Sequence, residues 1–151
     1  MNDDTNIRIA VGADTAALIS FNQAMAIETE GKQLEAQLLS EGVAAVFGDD
    51  KKGFYVVAES SGDIIGGLMV TYEWSDWRNR MVWWIQSVYV SPDARRDGVF
   101  RALYDTAHRE ARAANAGGLR LYVDTTNTKA QAVYTALGMN GDHYRVFEAM
   151  F

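Results

Sequence analysis

The sequence predicts a single domain over residues 1–151 of mixed α/β class, with antiparallel strands running into a parallel strand-helix-strand crossover. Three observations lead there. The apolar period switches from helical to strand-like near residue 54. The run from Met81 to Val90 is almost continuously apolar and rich in aromatic and β-branched residues, as in a strand covered on both faces. After Pro92, helical and strand-like segments alternate at short intervals.

Taken in order, Asn6 to Val11 alternates weakly and is read as a first strand. Asp14 stands where an N-cap is needed, ahead of Leu18, Phe21 and Met25 at helical spacing, and Gly31 should close that helix. A second helix is expected from Lys32 to Phe47, with Leu34, Leu38 and Val43 facing inward. Phe54 to Ala58 is a strand, Ser60 to Asp63 a turn, and Ile64 to Tyr72 the returning strand. Polar residues from Ser75 to Arg80 reverse the chain into the apolar run from Met81 to Val90. A helix from Val99 carries Leu103, Ala107 and Ala111, and Gly117-Gly118 ends it. Leu119 to Val123 is the next strand. Asn127 or Thr126 caps a short helix that Gly138 terminates, and His143 to Phe151 alternates as a last strand. The expected order is β-α-α-β-β-β-α-β-α-β, and its crossover should be right-handed.

Composition narrows the function. The chain has no cysteine, which excludes a disulfide framework, a zinc-thiolate site and a cysteine nucleophile. Its two histidines, His108 and His143, join no carboxylates at metal-ligand spacing, so no metal is expected. A net charge of −6 without a basic block argues against nucleic acid as a partner. No stretch is long enough to span a membrane, and Met1 to Ile9 lacks the pattern of a secretory signal, so a cytoplasmic location is the default expectation.

Two segments carry chemistry. In the first, the strand Ser87-Val88-Tyr89-Val90 runs through Pro92 into Arg95-Arg96-Asp97-Gly98-Val99-Phe100-Arg101, where a helix opens. The first amides of a helix have no internal partner and sit at the positive end of its dipole, which suits a pyrophosphate. Gly98 allows close backbone approach, and Arg95, Arg96 and Arg101 add positive charge. Alone this is also an ordinary strand-to-helix turn with solvated arginines; it is neither a Walker loop nor a dinucleotide fingerprint. In the second, Asn127, Ala130, Tyr134, Gly138 and Met139 are spaced along a helix, with Asn127 at its start and Tyr134 on the face of Ala130. A core tyrosine would look the same.

Together, in this order and one strand apart, the two segments resemble the acetyl-CoA signature of the GNAT superfamily. Its pyrophosphate loop reads [QR]-x-x-G-x-[GA], and its later motif reads N-x-x-A-x-x-x-Y-x-x-x-G-[FM]. Arg95, Gly98, Asn127, Ala130, Tyr134, Gly138 and Met139 match position by position. The strand order matches over nearly the whole chain. Two departures stand out. Phe100 occupies the place of Gly or Ala, so its amide can serve phosphate only if its ring turns toward the core or sheet. The stretch from Gly138 to Phe151 is short for the two final strands usual in the family.

The resemblance implies acetyl transfer from acetyl-CoA to a primary amine of a small molecule, amino acid or peptide, by direct attack in a ternary complex. It places the pantetheine arm along a bulged central strand at Val88, Tyr89 and Val90, and the pyrophosphate on Arg95, Arg96, Asp97, Gly98, Val99, Phe100 and Arg101. Asn127, Ala130 and Tyr134 complete the cofactor set, with Tyr134 as the acid that protonates the departing thiolate. Some family members carry a glutamate base on the central strand; Trp83-Trp84-Ile85-Gln86 has none. Glu28 or Glu30, between the first two helices, is preferred as base over Glu73. Each is also read as a surface carboxylate. Trp74, Trp77, Trp83 and Trp84 surround one hairpin. Of these, Trp74 and Trp84 with Glu73 are candidate acceptor contacts, while core packing or a homodimer contact explains the same cluster. Arg78 and Arg80 could instead hold an acceptor carboxylate. The alternative function is a noncatalytic acyl-CoA-binding regulatory domain on the same fold, or an interaction domain without cofactor.

Overall fold

The computed structural model describes all 151 residues, which divide into two units, Met1–Arg120 and Leu121–Phe151. The first is built on a sheet of five strands in the spatial order of the chain: β1 (Asn6–Ile9), β2 (Phe54–Ser60), β3 (Asp63–Ser75), β4 (Arg80–Val90) and β5 (Leu119–Arg120). The first three junctions are antiparallel and the last is parallel. Helices α1 (Thr15–Glu30), α2 (Ala36–Gly48) and α3 (Val99–Ala113) complete the unit. None of the helices is long and apolar enough to cross a membrane.

Side chains of a strand alternate between faces, and the register sorts them here. Tyr55 and Val57 of β2 join Leu18 of α1 and Val43 of α2 in one buried cluster, with Met69 of β3 packed against it. Val56, Leu68 and Val70 point to the other face and are fully buried, where α3 packs on β2 and β3 and contributes the buried Leu103 and Ala107. The central strands are therefore covered on both sides, as the apolar run from Met81 to Val90 requires.

The helix ends follow from identifiable side chains. Gly31 adopts φ 64° after α1, a conformation glycine enters without steric cost. Asp14 precedes α1 but does not cap it. Its carboxylate instead accepts two bonds from Arg8, at 2.8 and 3.0 Å, and one from the Val11 amide at 2.8 Å. The second helix begins at Ala36 rather than Lys32 because Glu35 is its cap, accepting from the amides of Gln37 and Leu38. The residues before it are held as a loop by Gln23, which bonds both the amide and the carbonyl of Leu34 at 2.9 Å. Of the three side chains expected to face inward, Val43 is buried, Leu34 is half-buried and Leu38 is 71% exposed.

In the second unit, α4 (Thr128–Ala136) is capped by Asn127, whose Oδ1 accepts from the Ala130 amide at 3.1 Å. The segment His143 to Phe151 forms no strand. Its alternation is present in the sequence, but alternation makes a strand only where a neighbour supplies the hydrogen-bond ladder, and the sheet ends at β5. The parallel strand also ends earlier than expected, at Arg120 rather than Val123.

Candidate acetyl-transfer site

Strand β4 is interrupted where the site was expected. Met69 of β3 pairs with Gln86 and Gly67 with Tyr89, so the single residue Leu68 faces two residues, Ser87 and Val88. Ser87 takes φ 51°, a left-handed conformation that a non-glycine residue enters at a cost. A bulge of this kind bends the strand and withdraws main-chain groups from the ladder. Parallel pairing with β5 covers only Trp83↔Leu119 and Trp84↔Arg120, before the bulge.

Beyond the bulge, a single 3-10 turn over Pro92–Ala94 leads into a tight connection in which Arg96 (φ 67°) and Gly98 (φ 83°) are both left-handed. Such a turn gathers amides around a concave surface that favours anions. Gly98 is the N-cap of α3, and a Cβ there would meet nothing within 4 Å, so the space on the side-chain side of Gly98 is open. Phe100 is half-buried and its ring lies 6.3 Å from that of Tyr104 on the same helix. The donor set therefore fits a pyrophosphate.

The three arginines differ. Arg95 is tied down. Its Nε donates to the Val90 carbonyl at 2.8 Å, one terminal nitrogen donates to both oxygens of Glu28 at 3.1 and 2.8 Å, and its guanidinium carbon lies 5.4 Å from the Tyr89 ring centre. Arg101 pairs with Asp105 one turn along α3. Only Arg96 carries no ion pair. Tyr89 is buried, its ring lies tilted against that of Phe21 of α1 with centroids 5.0 Å apart, and its hydroxyl donates to Glu28 at 3.4 Å. Burial, then the Glu28 charge, pushes its hydroxyl up from the usual phenol range. Glu28 thus connects the end of α1 to the anion turn. Nothing in the spacing of the sequence relates position 28 to position 95.

Each carboxylate considered as a base is in an ion pair: Glu28 with Arg95, Glu30 with Lys32 at 3.0 Å, and Glu73 with Arg120 at 2.8 Å. Glu73 also accepts from the Trp84 indole at 2.7 Å. That bond and the Arg120 pair hold its carboxyl below the usual range. The four tryptophans do not share one face. Trp84 and Glu73 lie on the face of Met69, Trp83 is buried against Phe54 and Tyr72 on the opposite face, and Trp74 and Trp77 are exposed. Arg78 and Arg80 pack against Gly117, where a Cβ would sit 3.1 and 3.4 Å from their side chains.

In the second unit, Asn127, Ala130 and Tyr134 share α4, with Asn127 occupied as its cap. Burial pushes the Tyr134 hydroxyl up from its ordinary value. No group of three or more histidine and carboxylate side chains is arranged to hold a metal.

Residues 20–139 match the model of the Acetyltransferase (GNAT) family. The chain belongs to that family. Among solved structures, a possible acetyltransferase from Clostridium difficile 630 is similar over 99% of both chains, at 39% identity and a TM-score of 0.90. A probable acetyltransferase, at 20% identity, covers 97% of each chain with a TM-score of 0.85. The ribosomal-protein-alanine N-acetyltransferase of Brucella melitensis biovar Abortus 2308 shares the fold at 14% identity, with a TM-score of 0.79 over 97% of this chain and 99% of that one. No curated protein sequence gives a match. Like these relatives, this GNAT chain has a mixed five-stranded sheet with four helices, and its family supports acetyl transfer as the general chemistry.

Proposed function

We propose that this protein transfers the acetyl group of acetyl-CoA to the nitrogen of a primary amine by direct attack within a ternary complex. The observation that carries the reading is the bulge at Ser87-Val88, followed at once by the left-handed turn at Arg96 and Gly98. The bulge frees main-chain groups of β4 for the pantetheine arm, and the turn offers the amides of Val99, Phe100 and Arg101 to the pyrophosphate. Asp97 is carried in the same turn, and Asn127 and Ala130 belong to the set through the motif they match.

The amide of Val88 polarises the acetyl carbonyl. The amine nitrogen forms the new N–C bond as the C–S bond breaks; the nitrogen loses one proton and the sulfur gains one. Tyr134 supplies the proton to sulfur, a role supported by its motif position and by burial, which keeps the phenol protonated. Glu28 accepts the nitrogen's proton through water; it is preferred to Glu30 because it already meets β4 at Tyr89. With no cysteine in the chain, no cysteinyl acyl-enzyme can form.

A thermal titration with acetyl-CoA, followed by thiol release across an amine panel, tests this. At about 100 times its dissociation constant a native-state ligand adds about 2.7 kcal/mol, raising Tm by about 5–11 °C in a chain of this size. No rise would end the proposal. A rise without turnover on any amine would leave a noncatalytic acyl-CoA-binding domain, the reading that the absence of a carboxylate from Trp83–Gln86 favours.

A further inference from the structure

The first unit contains a cavity of about 350 Å³ that ends at the bulge residue Ser87. It lies on the α1 and α2 side of the sheet. Its floor is Tyr55 and Met69, and its helical wall includes Leu39, Gly42 and Val43 of α2. Its size is at the small end of ligand pockets, enough for one ring or a short alkyl chain. Leu34 and Leu38 also line it. Leu38 projects 71% exposed from α2, although the sequence pattern places it on the inward stripe.

The polar inventory is short. Asn22 and Ser87 line the cavity with Glu35. Asn22 uses its amide nitrogen to donate to the Leu18 carbonyl at 2.9 Å, leaving Oδ1 as an acceptor. The Ser87 hydroxyl makes no hydrogen bond to protein. Glu35 is the one charged residue in the lining, and its carboxylate is committed to the Gln37 and Leu38 amides, at 3.1 and 2.6 Å. No lysine, arginine or histidine lines the cavity. A carboxylate entering it would find no cationic partner and would lie beside a like charge, a costly desolvation.

We propose that this cavity holds the apolar body of the acceptor, and that the acceptor is a monoamine with an aryl or alkyl body, carrying neither a carboxylate nor a second ammonium. The amine end lies at Ser87, its N–H groups received by Asn22 Oδ1 and the Ser87 hydroxyl. The ring or chain lies on Tyr55, Met69 and Leu39, and Leu38 closes over it at the rim. This rests on the acetyl-transfer reading, and it narrows the acceptor within that reading by excluding free amino acids.

Two variants test it. Gly42→Leu fills the cavity wall. A Cβ at Gly42 meets nothing within 4 Å and the position is interior to α2, so the substitution folds and strengthens the helix. Leu38→Lys replaces the exposed rim with a like charge to the ammonium. The probes are 2-phenylethylamine and n-hexylamine, compared with putrescine and lysine, with saturating CoA for thermal stabilisation and saturating acetyl-CoA for turnover. Wild type should be stabilised by the two apolar amines and acetylate them in preference to the polar pair. Both variants should bind acetyl-CoA as wild type does while KM for 2-phenylethylamine rises at least about tenfold. Preference for putrescine or lysine, unchanged KM in Gly42→Leu, or no stabilisation of wild type by either apolar amine would overturn the assignment. Stabilisation that Gly42→Leu abolishes, without thiol release from any amine, would keep the pocket and sink acetyl transfer instead.

Discussion

Replacing Glu73 by glutamine separates a structural role from an acceptor-binding role. Glu73 stands on β3, receives the Trp84 indole from β4 at 2.7 Å, and receives Arg120 from β5 at 2.8 and 2.9 Å. Trp84 and Arg120 are themselves the last pair of the parallel ladder. One carboxylate thus joins three strands at the point where β4 and β5 stop pairing. Glutamine keeps an acceptor oxygen for one donor and loses the charge. A charge-assisted bond in a buried setting contributes about 1.5–3 kcal/mol. Here the two side chains are 29% and 39% exposed, so screening reduces the loss to about 1 kcal/mol. In a chain of this size that lowers Tm by about 2–4 °C.

The pH dependence has a definite sign. The Glu73 carboxyl is held low by Trp84 and then by Arg120, so its contribution is fully present above the unfolded-chain value of about 4.3. It is lost as pH falls through the lower folded value. Urea unfolding of wild type and Glu73→Gln at neutral and acid pH should show a gap that closes below that window. With the clamp as its role, the variant keeps KM for the best amine. An unchanged midpoint at neutral pH together with a large rise in KM would refute the clamp and make Glu73 an acceptor contact.

Other consequences follow from the same structure. Tyr134→Phe should lower kcat about 10²–10⁴-fold. Because burial raises the phenol's pKa, the ratio to wild type should stay constant between about pH 6 and 9; a ratio that varies there would assign the acid elsewhere. Glu28→Gln should lower kcat/KM about a hundredfold if Glu28 takes the nitrogen's proton. Calorimetric titration of the same variant with acetyl-CoA should show a far smaller loss of affinity, that of the loosened Arg95, and a loss as large as the fall in kcat/KM would make Glu28 only an anchor for Arg95. Asp14→Asn should cost about 2 kcal/mol at neutral pH, since the side chain is buried and Arg8 loses its main partner. The Asp14 carboxyl is held low chiefly by Arg8, so this cost should fade as pH drops below about 3.9; persistence of the full difference at pH 2–3, or its absence at pH 7, would contradict the pairing.

Most of the fold was legible because local signals agreed with the tertiary solution. Gly31, Gly98 and Asn127 end or begin helices where their backbone and side-chain chemistry suggests. The apolar run ending at Val90 became the doubly covered strand. What failed depended on which partner a side chain or segment finds in the folded chain, which residue type alone does not specify. Asp14 looked like a cap and was claimed by Arg8. Glu35 displaced the start of α2 to Ala36. The alternation of His143 to Phe151 had no ladder to join. In the site, the anion turn could be read from Gly98 and its neighbours, but the link between Glu28 and Arg95 joins positions 67 residues apart and leaves no trace in spacing. The cavity at Ser87 was equally hidden, since it is assembled from two helices and three strands.

Initial-velocity kinetics with acetyl-CoA and an amine both varied test the central claim most directly. Direct attack in a ternary complex predicts double-reciprocal lines that intersect, and no acetyl group on the protein after incubation with acetyl-CoA alone. Parallel lines together with a stable acetylated protein would contradict it.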